Sequence, residues 1–375
     1  MPVLANQMMK ILGKFSAILV IVIVVSLIQF GCRKDVSTNP PKPDYIQLQK
    51  PFGFPAFISL KNNDLTEQGV MLGRMLFYDP ILSEDSTQSC SSCHHQSAAF
   101  TDPNRRFSIG INGNVGKRNS MALFNLNWHV RGFFWDGRAA TLQEQALMPI
   151  EDPAEMASSV PAALKRINGT LRYKQMFYKA FGVKEATGVE LGKAIEQFLT
   201  TLISSDSKFD RSKRGGPGLS FDEMEGERLF NTENRPDFMI RGADCFHCHG
   251  ESGLLFTNNE FFNNGLDDNL TDLGLFLTTG KVSDKGKFKA PSLRNLAFSA
   301  PYMHDGRFKT LDEVLDFYGD HVQLQSLNID PLMKHSRPPQ IQFNAQEKEY
   351  LKAFLNTLND YTFISNPEFS NPFKN

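Results

Sequence analysis

The chain is short of the features that mark several large classes of protein. Five cysteines in 375 residues are too few for a disulfide-dense secreted scaffold. Neither charge is in surplus: 40 Lys and Arg face 41 Asp and Glu, a formal net charge of −1, which argues against a nucleic-acid partner. The apolar run near the start, Phe15 to Ile28, is short of the ~18–20 residues that comfortably span a bilayer. Tryptophan occurs only twice. With 41% hydrophobic and 22% charged residues, the composition excludes a disordered, collagen-like or many-pass membrane protein. At ~150 residues per domain the length suggests two domains, or three. What is abundant is phenylalanine, at 32 residues. That surplus fits helix-packed cores or a large flat aromatic cofactor, and composition alone favours core packing.

The N-terminus reads as an address. Residues 1–31 hold no acid and two lysines, Lys10 and Lys14, followed by the apolar run and Gly31-Cys32. A basic start, a short apolar stretch and a small residue before the break describe a secretory signal. Gly31-Cys32 resembles a bacterial lipobox, in which Cys32 is lipidated and becomes the first residue of an exported, membrane-tethered protein. Gln29 departs from the Leu that this motif prefers. An uncleaved anchor helix is the alternative, and it exports the body as well. Residues 32–50 are polar and proline-rich, as expected of a flexible tether.

The rest of the chain repeats itself. Gly73-Arg-Met-Leu-Phe77 precedes Cys90-Ser-Ser-Cys93-His94, and Gly226-Glu-Arg-Leu-Phe230 precedes Cys245-Phe-His-Cys248-His249. Trp135-Asp-Gly-Arg138 with Thr141-Leu142 and Glu144 is echoed by His304-Asp-Gly-Arg307 with Thr310-Leu311 and Glu313. Phe198-Leu-Thr-Thr-Leu202 closes one half and Phe354-Leu-Asn-Thr-Leu358 the other. The expected organisation is a signal over 1–31, a tether over 32–50, one domain over 51–215 and its duplicate over 216–375. Apolar spacing predicts helices over 66–77 and 189–203. A third is expected after Asn344, with Asn344 as N-cap and Glu347 three residues on. An irregular link is expected over 206–217, where Arg214-Gly-Gly-Pro-Gly218 breaks any regular element. Long alternating runs are absent, so the fold class is all-α.

Cys-x-x-Cys-His is the c-type haem attachment signature. Two thiols add across the haem vinyl groups and fix the porphyrin edge to one turn of chain, and the adjacent His reaches the iron. The alternatives are a zinc knuckle, which needs more Cys or His at ligand spacing, and a redox dithiol, which wants a βαβ context that the sequence does not supply. Cys90, Cys93 and His94 would hold one haem c, and Cys245, Cys248 and His249 a second. The fold expected is two tandem cytochrome c-like domains, each with one covalently attached haem.

Between these motifs lie Lys117-Arg-Asn-Ser120, Phe134-Trp-Asp-Gly-Arg-Ala139, Glu144-Gln-Ala146, Pro149-Ile150, Glu155-Met156, Arg294-Asn-Leu296 and Pro301-Tyr-Met-His-Asp-Gly306. Over about residues 50–360 the chain resembles the bacterial di-haem cytochrome c peroxidases, the superfamily that also holds the MauG-type enzymes. The resemblance implies an iron ligand in His94 at a peroxide-reacting first haem and a bridge between the haems in Trp135. It places Gln145, Pro149 and Glu155 on the distal side of the first haem, with Glu155 as acid–base catalyst. It implies a calcium ion held by Asn119 and the carbonyls of Ser299 and Pro301. It also implies hydrogen peroxide as oxidant and a small periplasmic donor protein (a cytochrome c or a cupredoxin), and the N-terminal signal adds the expectation of a periplasmic lipoprotein anchored through Cys32. It is compatible with a homodimer.

The sequence departs from the family pattern in two places. Many members carry a second His that blocks the first haem until the other is reduced; the aligned position here is Ile111, so an open sixth position is expected. His129 is the nearest other candidate ligand and reads as an ordinary histidine. The far side of the second haem takes Met in the peroxidases and Tyr in the MauG-type enzymes. Counting from His304 selects Tyr318, with Met303 as the alternative. His95, His247, His321 and His335 receive no role, and His95 and His247 are expected in solvent. Three functions follow: a peroxide reductase, a MauG-type oxidase of a protein or organic substrate, and a plain electron carrier.

Overall fold

Most of the longer helices start where a side-chain oxygen stands ahead of apolar spacing. The Thr66 hydroxyl accepts from the Gly69 N–H and opens the Glu67–Tyr78 helix, which buries Leu72, Leu76 and Phe77. Thr187 and Glu190 form a reciprocal capping box at the Gly188–Thr201 helix, and Asn344 and Glu347 do the same at Ala345–Asn356. Residues 42–250, 253–335 and 340–374, with Met9 ahead of them, are described in this computed structural model. The apolar run, Cys32 and the first part of the tether therefore lie outside the described residues. Among the described residues, no helix is long and apolar enough to cross a membrane. The only strands described are Phe261–Phe262 and Phe288–Lys289, an antiparallel pair of two residues each.

The sequence repeat is also a repeat of packing. The Glu67–Tyr78 helix lies on Gly188–Thr201, and Phe221–Phe230 lies on Ala345–Asn356. Each crossing is made at a glycine. A Cβ on Gly73 would meet the Ala194 carbonyl at 1.9 Å, and one on Gly226 would meet the Tyr350 carbonyl at 2.0 Å. We expect Gly73→Ala and Gly226→Ala each to lower the unfolding free energy by about 1–3 kcal/mol through overpacking, read from denaturant midpoints. Equal midpoints for variant and parent would show that the helices can separate without cost.

The two tryptophan- and histidine-bearing turns also match. Phe134 and Gly137 take positive φ values of 67° and 69°, and Met303 and Gly306 take 73° and 64°. The bridges Phe133↔Ala139 and Tyr302↔Phe308 close the two turns. Trp135 and His304 thus hold equivalent places. Each turn leads into a helix with the same capping box, Thr141 with Glu144 at Leu142–Glu151 and Thr310 with Glu313 at Leu311–Asp316.

Phenylalanine fills two cores. Phe77, Phe100, Phe124, Phe177 and Phe198 lie in the first, and Phe209, Phe230, Phe256, Phe343 and Phe354 in the second. The C-terminal tail returns to the first core with Phe363 and Phe369. Tyr78 donates to the Phe369 carbonyl at 2.7 Å and Arg74 to the Ser370 carbonyl at 2.7 Å. The expected irregular link over 206–217 is in part a helix, Lys208–Lys213, capped by Ser207 and Asp210. Its formation follows from tertiary contact: Phe209 enters the second core, and Asp210 takes both outer nitrogens of buried Arg294 at 2.6 and 2.8 Å.

Candidate functional site

The first cysteine pair sits on a tight turn, Cys90–Ser92, with the His94 N–H donating to the Cys90 carbonyl at 3.0 Å. Both cysteines are free and half-buried. Burial pushes the Cys90 thiol up to about 12, with Glu155 adding to it, and raises Cys93. Such thiols are poor thiolates, which disfavours a redox dithiol. The His94 Nδ1 lies 2.7 Å from the Phe100 carbonyl oxygen. A carbonyl can only accept, so Nδ1 carries the proton and Nε2 keeps a free lone pair. Burial lowers the His94 pKa, which favours the neutral, ligating form.

These residues border a cavity of about 880 Å³, within the size range of cofactor pockets. His94 and Cys93 line it together with Trp135, Gln145, Pro149 and Glu155. Gln145 and Pro149 face it one turn apart on the Leu142–Glu151 helix, whose end leads through Asp152 to Glu155. Glu155 is half-buried, and its carboxyl is pushed up to about 7, chiefly by burial, further by Asp152, with Arg138 opposing. Trp135 is buried, and its indole N–H donates to the Asn119 carbonyl at 2.8 Å. Arg118, which also lines the cavity, binds Asp272 at 2.7 Å and Asp136 at 2.6 Å.

The second cysteine pair precedes and enters the short helix Phe246–His249. The His249 Nδ1 lies 3.1 Å from the Pro291 carbonyl, so its Nε2 is likewise free. Burial pulls this imidazole down to about 4. Cys245, Cys248 and His249 line an apolar slot around a smaller cavity of about 140 Å³. Tyr318 lines the same slot, on a π-helical turn, Phe317–His321. Its hydroxyl accepts from Asn264 Nδ2 at 3.1 Å, and burial pushes it up to about 12. Met303 packs with Leu266 and Phe317, its sulfur 3.8 Å from the same Asn264 nitrogen, and is not among the residues lining the slot. Both sites therefore present two half-buried cysteines on one turn and a neutral imidazole with an open Nε2, which is the donor set that a c-type haem requires.

The remaining candidates fall into place as follows. Ile111 donates its N–H to the Glu155 carbonyl at 3.0 Å and is not among the residues lining the first cavity. His129 does line it, stacked on Phe133 at 5.9 Å, and burial pulls it down to about 3. His95 and His321 are exposed. His247, expected in solvent, is half-buried on the wall of the second slot, with Nδ1 2.8 Å from Asp244; the tight turn of its own motif turns it inward. The His335 side chain lies outside the described residues. Asn119 donates its amide nitrogen to the carbonyls of Arg105 and Arg106 at 3.1 and 3.2 Å, which leaves its oxygen as the end able to meet a cation. Its backbone N–H bonds the His304 carbonyl at 2.7 Å, close in sequence to Pro301 and Ser299. Asn264 was not legible in sequence, where an Asn in a loop carries no signal.

A mostly helical chain with two such thiol–imidazole sites and an acid in the first defines a di-haem oxidoreductase. The comparisons with known proteins agree: residues 67–217 match the family described as di-haem cytochrome c peroxidase. The chain is 34% identical over 306 residues to cytochrome c551 peroxidase of Nitrosomonas europaea, covering 80% of this chain and 81% of that protein. It is also 34% identical over 301 residues to the methylamine utilization protein MauG of Methylorubrum extorquens, covering 80% of each. Among solved structures, a MauG-like protein associated with microbial copper homeostasis is 34% identical, with a TM-score of 0.78, covering 88% of this chain and all of that one. The chain belongs to the di-haem cytochrome c peroxidase/MauG family, and membership implies two haems.

Proposed function

We propose that this protein is a periplasmic di-haem cytochrome c peroxidase. It reduces hydrogen peroxide to water with two electrons from a small donor protein, a cytochrome c or a cupredoxin, passed from the second haem site to the first. The observation that carries the reading is Glu155: a half-buried carboxyl with its pKa near 7, on the wall of the cavity that His94 also lines. The haem supplies an iron that accepts peroxide and exchanges electrons. Cleaving the O–O bond also needs a proton carried from one peroxide oxygen to the other. A carboxyl titrating near the working pH takes and returns that proton with little penalty in either direction. Gln145 and Pro149 shape the same wall, the one as a hydrogen-bonding group and the other as a stiff apolar surface. The balanced reaction takes up two electrons and two protons for each peroxide and yields two waters.

Trp135 lies between the first cavity and the second half, bonded through Asn119 to the His304 turn. Trp135→Phe keeps an aromatic ring in place but removes the indole N–H and the second ring. We expect a slowed reoxidation of the second haem after peroxide is mixed with half-reduced protein. An unchanged stopped-flow rate would remove Trp135 from the electron path. The calcium ion belongs to the same reading, held by the Asn119 side-chain oxygen with the Ser299 and Pro301 carbonyls, neutral oxygens suited to a hard cation. Chelator treatment should then lower activity, and calcium should restore it where magnesium does not. The lipid anchor at Cys32 completes the proposed location.

Tyr318 favours a second reading, a MauG-type oxidase. A phenolate on the second iron suits ferric and higher states better than a thioether does. Tyr318→Phe should then change the low-spin ferric signal of the second haem, and an unchanged signal removes Tyr318 as ligand. Mixing the fully oxidised protein with peroxide, first without and then with reduced donor, separates the readings. Rapid turnover only with reduced donor supports the peroxidase, and a long-lived oxidised state of both haems supports the oxidase.

A further inference from the structure

Lys289 is 1% exposed, an unusual burial for an ammonium. Its Nζ donates to the Gly132 carbonyl and stands 5.3 Å over the Phe261 ring. The carboxylates nearest in charge are occupied elsewhere: Asp136 by Arg118 and Arg138, Glu260 by Arg131. The Lys289 backbone N–H donates to the Trp135 carbonyl at 2.9 Å. Its charge is felt at His129, and both His129 and Trp135 line the first cavity. One residue thus grips both ends of the Gly132–Trp135 turn and places a cation behind the wall that Trp135 forms.

We propose that Lys289 is a positioning residue for electron passage through Trp135, whose buried positive charge keeps the indole from holding a lasting one-electron vacancy and raises the midpoint potential of the first haem. The inference rests on the peroxidase reading above. In each transfer the indole gives one electron toward the first site and regains one from the second, two such transfers serving each peroxide. A cation in a poorly screened interior raises the energy of the oxidised indole and so favours prompt refilling.

The test is spectroelectrochemical titration of the holoprotein, with Lys289→Met and Lys289→Arg. The Met variant should show a lowered midpoint potential at the first haem, and the Arg variant should keep the parent value. After peroxide, the Met variant should also accumulate a larger indole-radical signal by electron paramagnetic resonance. A folded Met variant with the parent potential overturns the proposal. If the Met variant does not fold, the parent and the Arg variant are compared from about pH 7 to about pH 9. Burial pulls the Lys289 ammonium down to about 8 against the nearby charges of Glu260 and Asp136, with the neutral His129 beside it. The parent potential should fall more steeply over that range than that of the Arg variant, which stays charged, and parallel curves overturn the proposal. The potentials are read without peroxide, so a protein that does not reduce peroxide fails the peroxidase reading and leaves this test standing.

Discussion

Glu155→Gln should lower kcat/KM for peroxide by roughly 10²–10⁴-fold, the usual cost of removing a positioned acid–base group. The substitution keeps the shape and much of the polarity of the side chain, so both haems should still be attached, with near-parental spectra. The pH profile is the sharper readout. Burial raises the Glu155 carboxyl to about 7, with Asp152 adding and Arg138 opposing. The group must first accept a proton from peroxide, so its carboxylate is the working form of the free enzyme. Activity should therefore be low below about pH 7 and rise through it, and the Gln variant should lose that limb. A parental profile in the Gln variant assigns the proton transfer to another group.

The largest stability effect should come from the Arg294–Asp210 pair. Arg294 is fully buried, binds both carboxylate oxygens of Asp210, donates Nε to the Leu254 carbonyl at 2.7 Å, and lies 5.1 Å from the Phe54 ring. Arg294→Leu leaves the Asp210 carboxylate buried and unpaired, at a cost of about 3–5 kcal/mol. The double variant Arg294→Leu with Asp210→Leu should recover much of that loss, because no charge is then stranded. Burial alone would raise the Asp210 carboxyl, but the guanidinium bonds hold it below the usual carboxylate range. The pair's contribution is therefore full above the unfolded value of about 4 and is lost as pH falls through the lower folded value. Unfolding midpoints of the parent and both variants, taken at neutral and acid pH, check both statements. A single variant as stable as the parent would show that water reaches Asp210.

The helices and the thiol–imidazole motifs were legible because their signals are local. Thr66 and Thr187 cap the two helices expected from apolar spacing, within a residue or two of the expected ends, and Asn344 caps the third as its sequence signal foretold. The cysteines and the following His are bound to one turn by covalent spacing alone. The duplication was legible in the repeated phrases, whereas the helix crossings at Gly73 and Gly226 emerged only from the packing. The helix Lys208–Lys213 was not legible, because Arg294, which holds Asp210, lies 84 residues away. Neither was the hydrogen bond from Asn264 to Tyr318, 54 residues apart, whose partners are brought together only by packing.

By itself the sequence determined the family, the two Cys-x-x-Cys-His motifs and the chain's duplication, since each is written in neighbouring residues whose spacing survives any arrangement of the rest. Only the tertiary structure decided how those residues behave. The pKa of Glu155 near 7, the shared cavity of His94 and Trp135, the place of Tyr318 on the second slot and the enclosure of Lys289 depend on water being excluded by segments distant in sequence. Desolvation is a property of the surroundings in space, and no local pattern encodes it.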